Sequence, residues 1–226
     1  MARVLGLGIA VVLAAALAGC GGSSTKSSTP PPPPPPSSTG ASGCPQVSAP
    51  LSRSESRKRP AKPLDASKTW IAAVDTSCGS FTIKLDVKDS PHTTASFVSL
   101  ARSGFYDDTT FHRIVPGFVI QGGDPTATGT GGPGYSVVDK PPAKTSYALG
   151  VVAMAKTSTE PSGASGSQFF VVTGDASFLT PDYALLGKVV DGMAVVDKIG
   201  RLGDPSDPNG TPTQVVVVRK ITISSS

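Results

Sequence analysis

The sequence predicts a mainly β domain with two α-helices, preceded by about sixty residues without a globular pattern. Composition is the first reason: the chain has 226 residues with 25 Gly and 22 Pro, which is typical of a turn-rich domain plus a disordered segment. The second reason is a series of short apolar runs at near-regular spacing after residue 69. Many short strands favour a sandwich or a closed barrel, since closure removes exposed sheet edges.

Residues 1–19 are predicted to be a signal peptide. Arg3 precedes an apolar run, residues 4–17, which is shorter than the roughly 20 residues that span a bilayer. The run ends in Leu-Ala-Gly-Cys20, which resembles the lipobox of bacterial lipoproteins and implies acylation at Cys20. The expected location is therefore the outer face of the bacterial cytoplasmic membrane, with the protein held there by lipid. An ordinary signal peptide with an incidental cysteine is the alternative.

Residues 20–63 are predicted to be a disordered, Pro/Ser-rich and basic tether. Seven consecutive prolines, Pro30 to Pro36, favour a stiff polyproline II spacer. Most of the excess positive charge lies in this part of the chain, because residues 64–226 carry 13 Lys and Arg against 15 Asp and Glu. The charge therefore does not indicate a nucleic-acid site on the domain. Export would allow a disulfide between Cys44 and Cys78, and two unpaired thiols are the alternative.

The domain is expected to begin at residue 64, and its elements follow in order. Residues 70–74 and 81–87 predict a hairpin around the turn at 76–79, since the second run alternates strictly between apolar and polar positions. Ser90 as N-cap and Pro91 predict a helix that ends at Gly104. Asp191 is the expected N-cap of a second, short helix that ends at Gly200. Further strands are expected at 111–115, 118–121, 148–155, 168–173, 184–190 and 215–223.

Several chemistries are disfavoured by the residues present. The glycines of 129–134 match G-x-G-x-x-G spacing, but Pro133 interrupts them and no helix pattern follows, so a glycine-rich loop is expected instead. The two histidines, His92 and His112, and three scattered cysteines do not give metal-ligand spacing. The sequence contains no Gly-x-Ser-x-Gly elbow for a nucleophilic serine. No metal or cofactor is expected.

The segment 111–124, Phe-His-Arg-Ile-Val-Pro-Gly-Phe-Val-Ile-Gln-Gly-Gly-Asp, places Arg113 and Gln121 among aromatic and aliphatic residues. An arginine in apolar company must pair or hydrogen-bond, because an unpaired buried charge is costly. One reading is a structural partnership with Gln121 or an acid. The other reading is a functional site.

This segment resembles the signature of the cyclophilins, and further blocks match in the same order: Met154-Ala155, 166–170, Phe178-Leu179 and 186–188. The resemblance extends from about Trp70 to Ile223. It implies a closed eight-stranded antiparallel β-barrel with a helix over each open end. It also implies peptidyl-prolyl cis-trans isomerase activity on proline-containing polypeptides, by a monomer.

Carried over to this sequence, the resemblance makes Arg113 the catalytic residue. The implied substrate-binding residues are Phe118, Val119, Gln121, Ala155, Lys156, Gln168, Phe170, Phe178, Leu179 and Tyr183. Four of them depart from the best-known eukaryotic pattern: Val119 replaces Met, Lys156 Asn, Phe178 Trp and Tyr183 His. Loss of the indole N–H at position 178 implies weakened cyclosporin binding. A non-catalytic proline-binding surface module or chaperone is the alternative function.

Overall fold

The computed structural model describes residues 43–226. The predicted signal peptide, the acylation site Cys20 and the tether up to residue 42 lie outside these residues. No helix within 43–226 is long and apolar enough to cross a membrane. Resemblance and structure agree on a mainly β fold with two helices.

Within 43–226 the chain forms eleven strands and two helices. Nine strands build one antiparallel sheet in the order β3-β11-β1-β2-β10-β7-β9-β5-β4, and β6 pairs with β8 separately. The elements are β1 Trp70–Thr76, β2 Gly79–Leu85, α1 Pro91–Arg102, β3 Thr109–Thr110, β4 Arg113–Val115, β5 Val119–Gly122, β6 Val137–Val138, β7 Val151–Met154, β8 Ala164–Ser165, β9 Phe169–Val172, β10 Leu185–Asp191, α2 Met193–Gly200 and β11 Val217–Ser225.

The expectation of a closed eight-stranded barrel is wrong, because the sheet is a curled, open half-barrel. Its edge strands, β3 and β4, follow one another on one extended segment and therefore do not pair with each other. Backbone bonds from this segment go elsewhere: Phe111 N–H donates to the Val216 carbonyl and Ile114 N–H to the Gly210 carbonyl. An isolated bridge between Thr110 and Asp124 joins β3 to the residues that follow β5.

The main core lies inside the curl of the sheet, beneath α1. Phe97 of α1 packs on Tyr106 at 5.0 Å between ring centroids and meets Phe169 of β9 edge-on at 5.9 Å. All three side chains are fully buried. Burial of large aromatic side chains in specific edge-to-face contacts stabilises this arrangement.

The helix starts were only partly predicted. α1 begins at Pro91 as expected, but the Ser90 side chain makes no capping bond; instead the remote Asp139 carboxylate accepts the Thr93 N–H at 2.6 Å. The expected N-cap of α2, Asp191, is the last residue of β10, and Gly192 with φ 77° is the N-cap. A side chain at 192 would collide with the backbone of Ser80, so the strand-to-helix turn requires glycine.

The described part of the predicted tether, residues 43–63, contacts the domain. Cys44 and Cys78 form a disulfide with 4.8 Å between their Cα atoms. The Arg53 guanidinium donates to the carbonyls of Phe105, at 2.8 Å, and of Asp107. The boundary predicted at residue 64 stays a prediction.

Candidate active site

The outer face of the sheet carries a second apolar cluster, separate from the main core. Side chains of β5, β7 and β9 alternate between the two: Ile120 and Val171 point into the main core, whereas Val119 and Phe170 belong to the outer cluster. This alternation follows from the two-residue period of a strand. The cluster's buried members are Val119, Tyr147, Ala153, Phe170, Val172 and Ala176, with Phe118, Val151, Ala155, Leu179, Tyr183 and Leu185 packed against them.

Strand register places a polar-to-apolar row across this face. Arg113 of β4 is opposite Gln121 of β5, Gln121 is opposite Phe170 of β9, and Phe170 is opposite Ala153 of β7. Directly opposite residues lie about 4.5–5.5 Å apart and can contact each other. The pairing therefore brings a cation, an amide and an aromatic ring side by side.

The polar end of the row is a chain of hydrogen bonds. Arg113 donates through Nη1 to Oε1 of Gln121 at 3.4 Å, and Gln121 Nε2 donates to Oε1 of Gln168 at 3.1 Å. Gln168 Nε2 donates in turn to the Gly131 carbonyl at 3.0 Å. Each group in this series donates to the next one, from Arg113 towards Gly131, and this fixes the orientation of both glutamine amides. Gln121 keeps one N–H and one oxygen lone pair for a further partner.

Arg113 is a half-buried cation whose protein contacts are neutral. Its Nε donates to the Asn209 carbonyl at 3.1 Å, and its guanidinium carbon lies 6.0 Å from the Phe118 ring centroid. Burial is the main cause that lowers the pKa of Arg113 from its ordinary value, and Tyr183 opposes it. A guanidinium nevertheless stays charged in proteins. None of the ion pairs within residues 43–226 involves Arg113, so the predicted partnership is with Gln121 and not with an acid.

Aromatic rings form the apolar end of the site. Phe170 meets Tyr183 edge-on at 5.5 Å between centroids, and Phe118 packs on Phe178 at 5.0 Å. Phe178 is 66% exposed, so it offers a large apolar surface to solvent. Leu179 packs against the same cluster.

Lys156 uses its side chain to fasten a loop. Its Nζ forms an ion pair with Asp182 at 2.7 Å and donates to the carbonyls of Thr157 and Glu160, and the side chain is only 5% exposed. The neighbouring Ala155 donates its N–H to the Gln168 carbonyl at 2.9 Å. The ammonium group is thus fully engaged within the protein.

The structure brings the predicted site residues together on one face of the sheet, from Arg113 and Gln121 through Gln168 and Phe170 to Tyr183. Cys20 lies outside the described residues. Within 43–226 no group of three or more His, Cys, Asp or Glu could hold a metal ion.

Similarity to known proteins identifies the family. A sequence model described as "Cyclophilin type peptidyl-prolyl cis-trans isomerase/CLD" matches residues 71–223, about two thirds of the chain. The chain belongs to this family. The predicted enzyme class, peptidyl-prolyl cis-trans isomerase, is thereby confirmed.

Named relatives agree with this family. A peptidyl-prolyl cis-trans isomerase of Helicobacter pylori is 38% identical over 61% of this chain and 85% of its own length. Peptidyl-prolyl cis-trans isomerase A of Mycobacterium tuberculosis is 37% identical over 69% of this chain and 93% of its own length. Among solved structures, a Cryptosporidium parvum cyclophilin crystallised in the presence of the dipeptide Ala-Pro is 32% identical. It superposes with a TM-score of 0.62, covering 69% of this chain and 99% of its own.

Three features of the site were not among the predicted site residues. The Tyr147 hydroxyl donates to the Tyr183 carbonyl at 2.7 Å and accepts from the Tyr183 N–H at 2.9 Å, which holds an aromatic ring of the site in place. The Asn209 carbonyl, which orients Arg113, carries no signal in the sequence because any residue could supply it. The third feature, Asp124, had a local signal in the Asp-x-Thr pattern that favours turns.

The fully buried Asp124 carboxylate organises the loop that follows it. It accepts N–H bonds from Thr126, Thr128, Gly129 and Gly131 at 2.7–3.1 Å, and a hydroxyl bond from Thr126. Burial opposes ionisation, but the hydrogen bonds outweigh it and lower the pKa of Asp124. The predicted glycine-rich loop is therefore organised around the Asp124 carboxylate. Its Gly131 carbonyl accepts the hydrogen bond from Gln168.

His112 precedes Arg113 in the chain, and its imidazole lies against Gly129 of the loop. Burial lowers its pKa, and the charge of Asp124 opposes this without cancelling it. The imidazole is accordingly neutral at neutral pH, which avoids a second cation beside Arg113.

Proposed function

We propose that the chain is an exported, lipid-anchored prolyl isomerase in which Arg113 stabilises the twisted X-Pro amide. The observation that carries this proposal is the position of Arg113: its half-buried guanidinium borders an apolar, aromatic cluster and has no carboxylate partner among the described ion pairs.

The reaction needs no covalent bond between enzyme and substrate. Rotation about X-Pro faces a barrier of about 18–20 kcal/mol because the C–N bond has partial double-bond character. In the twisted state the nitrogen becomes pyramidal and basic, so a guanidinium N–H aimed at its lone pair favours that state over the planar one. The neutral contacts of Arg113 leave its charge available for this role.

The remaining residues hold the substrate on either side of the rotating bond. Phe118, Phe170 and Leu179 bind the proline ring and exclude water, which strengthens the interaction of the nitrogen with Arg113. Gln121 and Gln168, oriented by their hydrogen-bond chain, bind the flanking backbone. The relative crystallised with Ala-Pro supports an X-Pro substrate.

The proposed isomerase acts on exported polypeptides, because the sequence begins with a secretory pattern that ends at Cys20. There it would accelerate folding steps that take tens of seconds uncatalysed. Intact-mass measurement of the protein from a bacterial membrane fraction tests this part. The mass of a chain beginning at an acylated Cys20 supports it, and an unmodified or uncleaved chain contradicts it.

The activity itself is tested by exchange NMR on an Ala-Pro peptide. We expect the protein to increase the cis-trans exchange rate in proportion to its concentration. Peptide binding without faster exchange would instead indicate a non-catalytic proline-binding module. Cyclosporin should inhibit weakly, because Phe178 lacks an indole N–H donor.

A further inference from the structure

Residues 43–57 form an extended strap that lies against the domain. Side chains along it alternate: Arg53, Glu55 and Arg57 are half-buried, whereas the serines between them are exposed. This two-residue alternation is the pattern of an extended segment with one face on a protein surface. The strap is therefore docked by a defined face.

The strap is anchored at its first residues. Cys44 is bonded to Cys78 in the turn between β1 and β2. Gln214 donates through Nε2 to the carbonyls of Cys44, at 3.2 Å, and Pro45, at 2.8 Å. A covalent link and an amide thus fix where the strap starts.

Charged side chains hold the middle of the strap. Glu55 forms ion pairs with both Arg53 and Arg57. Arg53 also donates to the carbonyls of Phe105 and Asp107 after α1, and the Arg57 guanidinium lies 5.7 Å from the Phe105 ring centroid. These contacts set the register of the strap along the domain.

The backbone of the strap binds both ends of the loop that borders the active site. Arg53 N–H donates to the Pro125 carbonyl at 3.0 Å, and Arg57 N–H donates to the Pro133 carbonyl at 2.9 Å. Between these two points the loop supplies the Gly131 carbonyl that orients Gln168. The strap is therefore connected to Gln168, a proposed substrate-binding residue, through the loop backbone and one hydrogen bond.

We propose that Arg53 and Arg57 are positioning residues for substrate binding, acting through loop 125–133 on Gln168, with the Cys44–Cys78 disulfide as a redox-sensitive anchor. The inference rests on the proposed function, since it concerns how that site is held. Releasing the strap should loosen the loop and disorder the Gln168 amide. Arg113 keeps its bond to the Asn209 carbonyl.

The expected kinetic signature is a change in KM with little change in kcat. Gln168 holds the substrate backbone, and the loss of one oriented hydrogen bond corresponds to roughly a two- to tenfold weaker interaction. Interactions that bind substrate and transition state alike affect KM alone. A purely structural role for the strap would instead lower the active fraction and hence kcat.

The test compares the full chain with Arg53→Ala/Arg57→Ala and with the matched control Lys58→Ala/Arg59→Ala, which removes the same charge from exposed neighbours. We expect the first variant to have a KM raised roughly two- to tenfold and about tenfold faster hydrogen exchange at Thr128, Gly129 and Gly131. The control should match the wild type. Unchanged exchange and KM in the first variant, or equal changes in the control, would overturn the proposal.

The anchor is tested by reduction. A phosphine reductant should give the wild type the faster loop exchange and higher KM, while Cys44→Ala/Cys78→Ala should show both already and not respond further. Unchanged hydrogen exchange in the loop after verified reduction would refute the role of the disulfide as an anchor. Since loop exchange is measured without substrate, it tests the strap even if the wild type proves to have no isomerase activity.

Discussion

Asp124→Asn offers a quantitative test of how the active-site loop is built. The carboxylate accepts five hydrogen bonds and is fully buried. An asparagine can turn its oxygen toward the three N–H groups of Thr128, Gly129 and Gly131. Its NH2 group then faces the Thr126 N–H, so one bond is replaced by a repulsive contact between donors.

The magnitude follows from those bonds. Losing the Thr126 N–H bond and leaving that donor unpaired costs about 1–3 kcal/mol, and the three N–H bonds to the asparagine oxygen weaken because they no longer end on a charge. We expect a decrease of about 2–4 kcal/mol in the free energy of unfolding. The exposed Asp175, which accepts a backbone bond from Ser177, provides the control Asp175→Asn with a change under about 0.5 kcal/mol.

Urea unfolding followed by fluorescence of Trp70, the single tryptophan, measures both variants. The acid dependence gives a second readout. Because the pKa of Asp124 is lowered on folding, its contribution is present above the unfolded value of about 3.9 and is lost as the pH falls through the folded value. Asp124→Asn should lack this component. A variant as stable as the control, or one with the wild-type acid dependence, would refute the reasoning.

Three further changes probe other parts of the site. Lys156→Met removes a buried ammonium that holds Asp182 and two carbonyls, so protease cleavage within 157–163 should become faster, and an unchanged cleavage rate would count against this role. Tyr147→Phe should lower the free energy of unfolding by about 1–3 kcal/mol in urea, since the Tyr183 N–H loses its partner; a neutral effect would mean that water replaces the hydroxyl. His112→Gln should reduce the loss of unfolding free energy as the pH falls below about 6.5, because a His whose pKa is lowered on folding must be protonated on acidification and then disfavours the folded state; parallel pH profiles would contradict this.

Local patterns predicted the parts of the fold that depend on neighbouring residues. Strict alternation in 81–87 indicated β2, and Ser90-Pro91 indicated the start of α1. Alternation cannot decide whether a curled sheet closes, since closure depends on where the 109–115 segment sends its backbone bonds. Very short pairs such as β6 and β8 are held by surrounding contacts and have no pattern of their own.

The candidate site was predictable where the side chain itself performs the role. Arg113 and Gln121 stood out as polar groups in an apolar segment, and the strand register now places them opposite each other. Backbone partners could not be predicted in the same way, because the Asn209 carbonyl is positioned by folding and not by residue type. The strap had a signal in the alternation of Arg53, Glu55 and Arg57, but the composition around it favoured a disordered tether.

The central claim is that the Arg113 guanidinium stabilises the twisted amide. The most direct measurement is the catalysed cis-trans exchange rate of an Ala-Pro peptide with Arg113→Ala, compared with the exposed-arginine control Arg219→Ala. We expect kcat/KM to fall roughly 10²- to 10³-fold for Arg113→Ala, as for loss of one preorganised donor at a developing charge, and the control to match the wild type. Full activity in a folded Arg113→Ala protein would contradict the account.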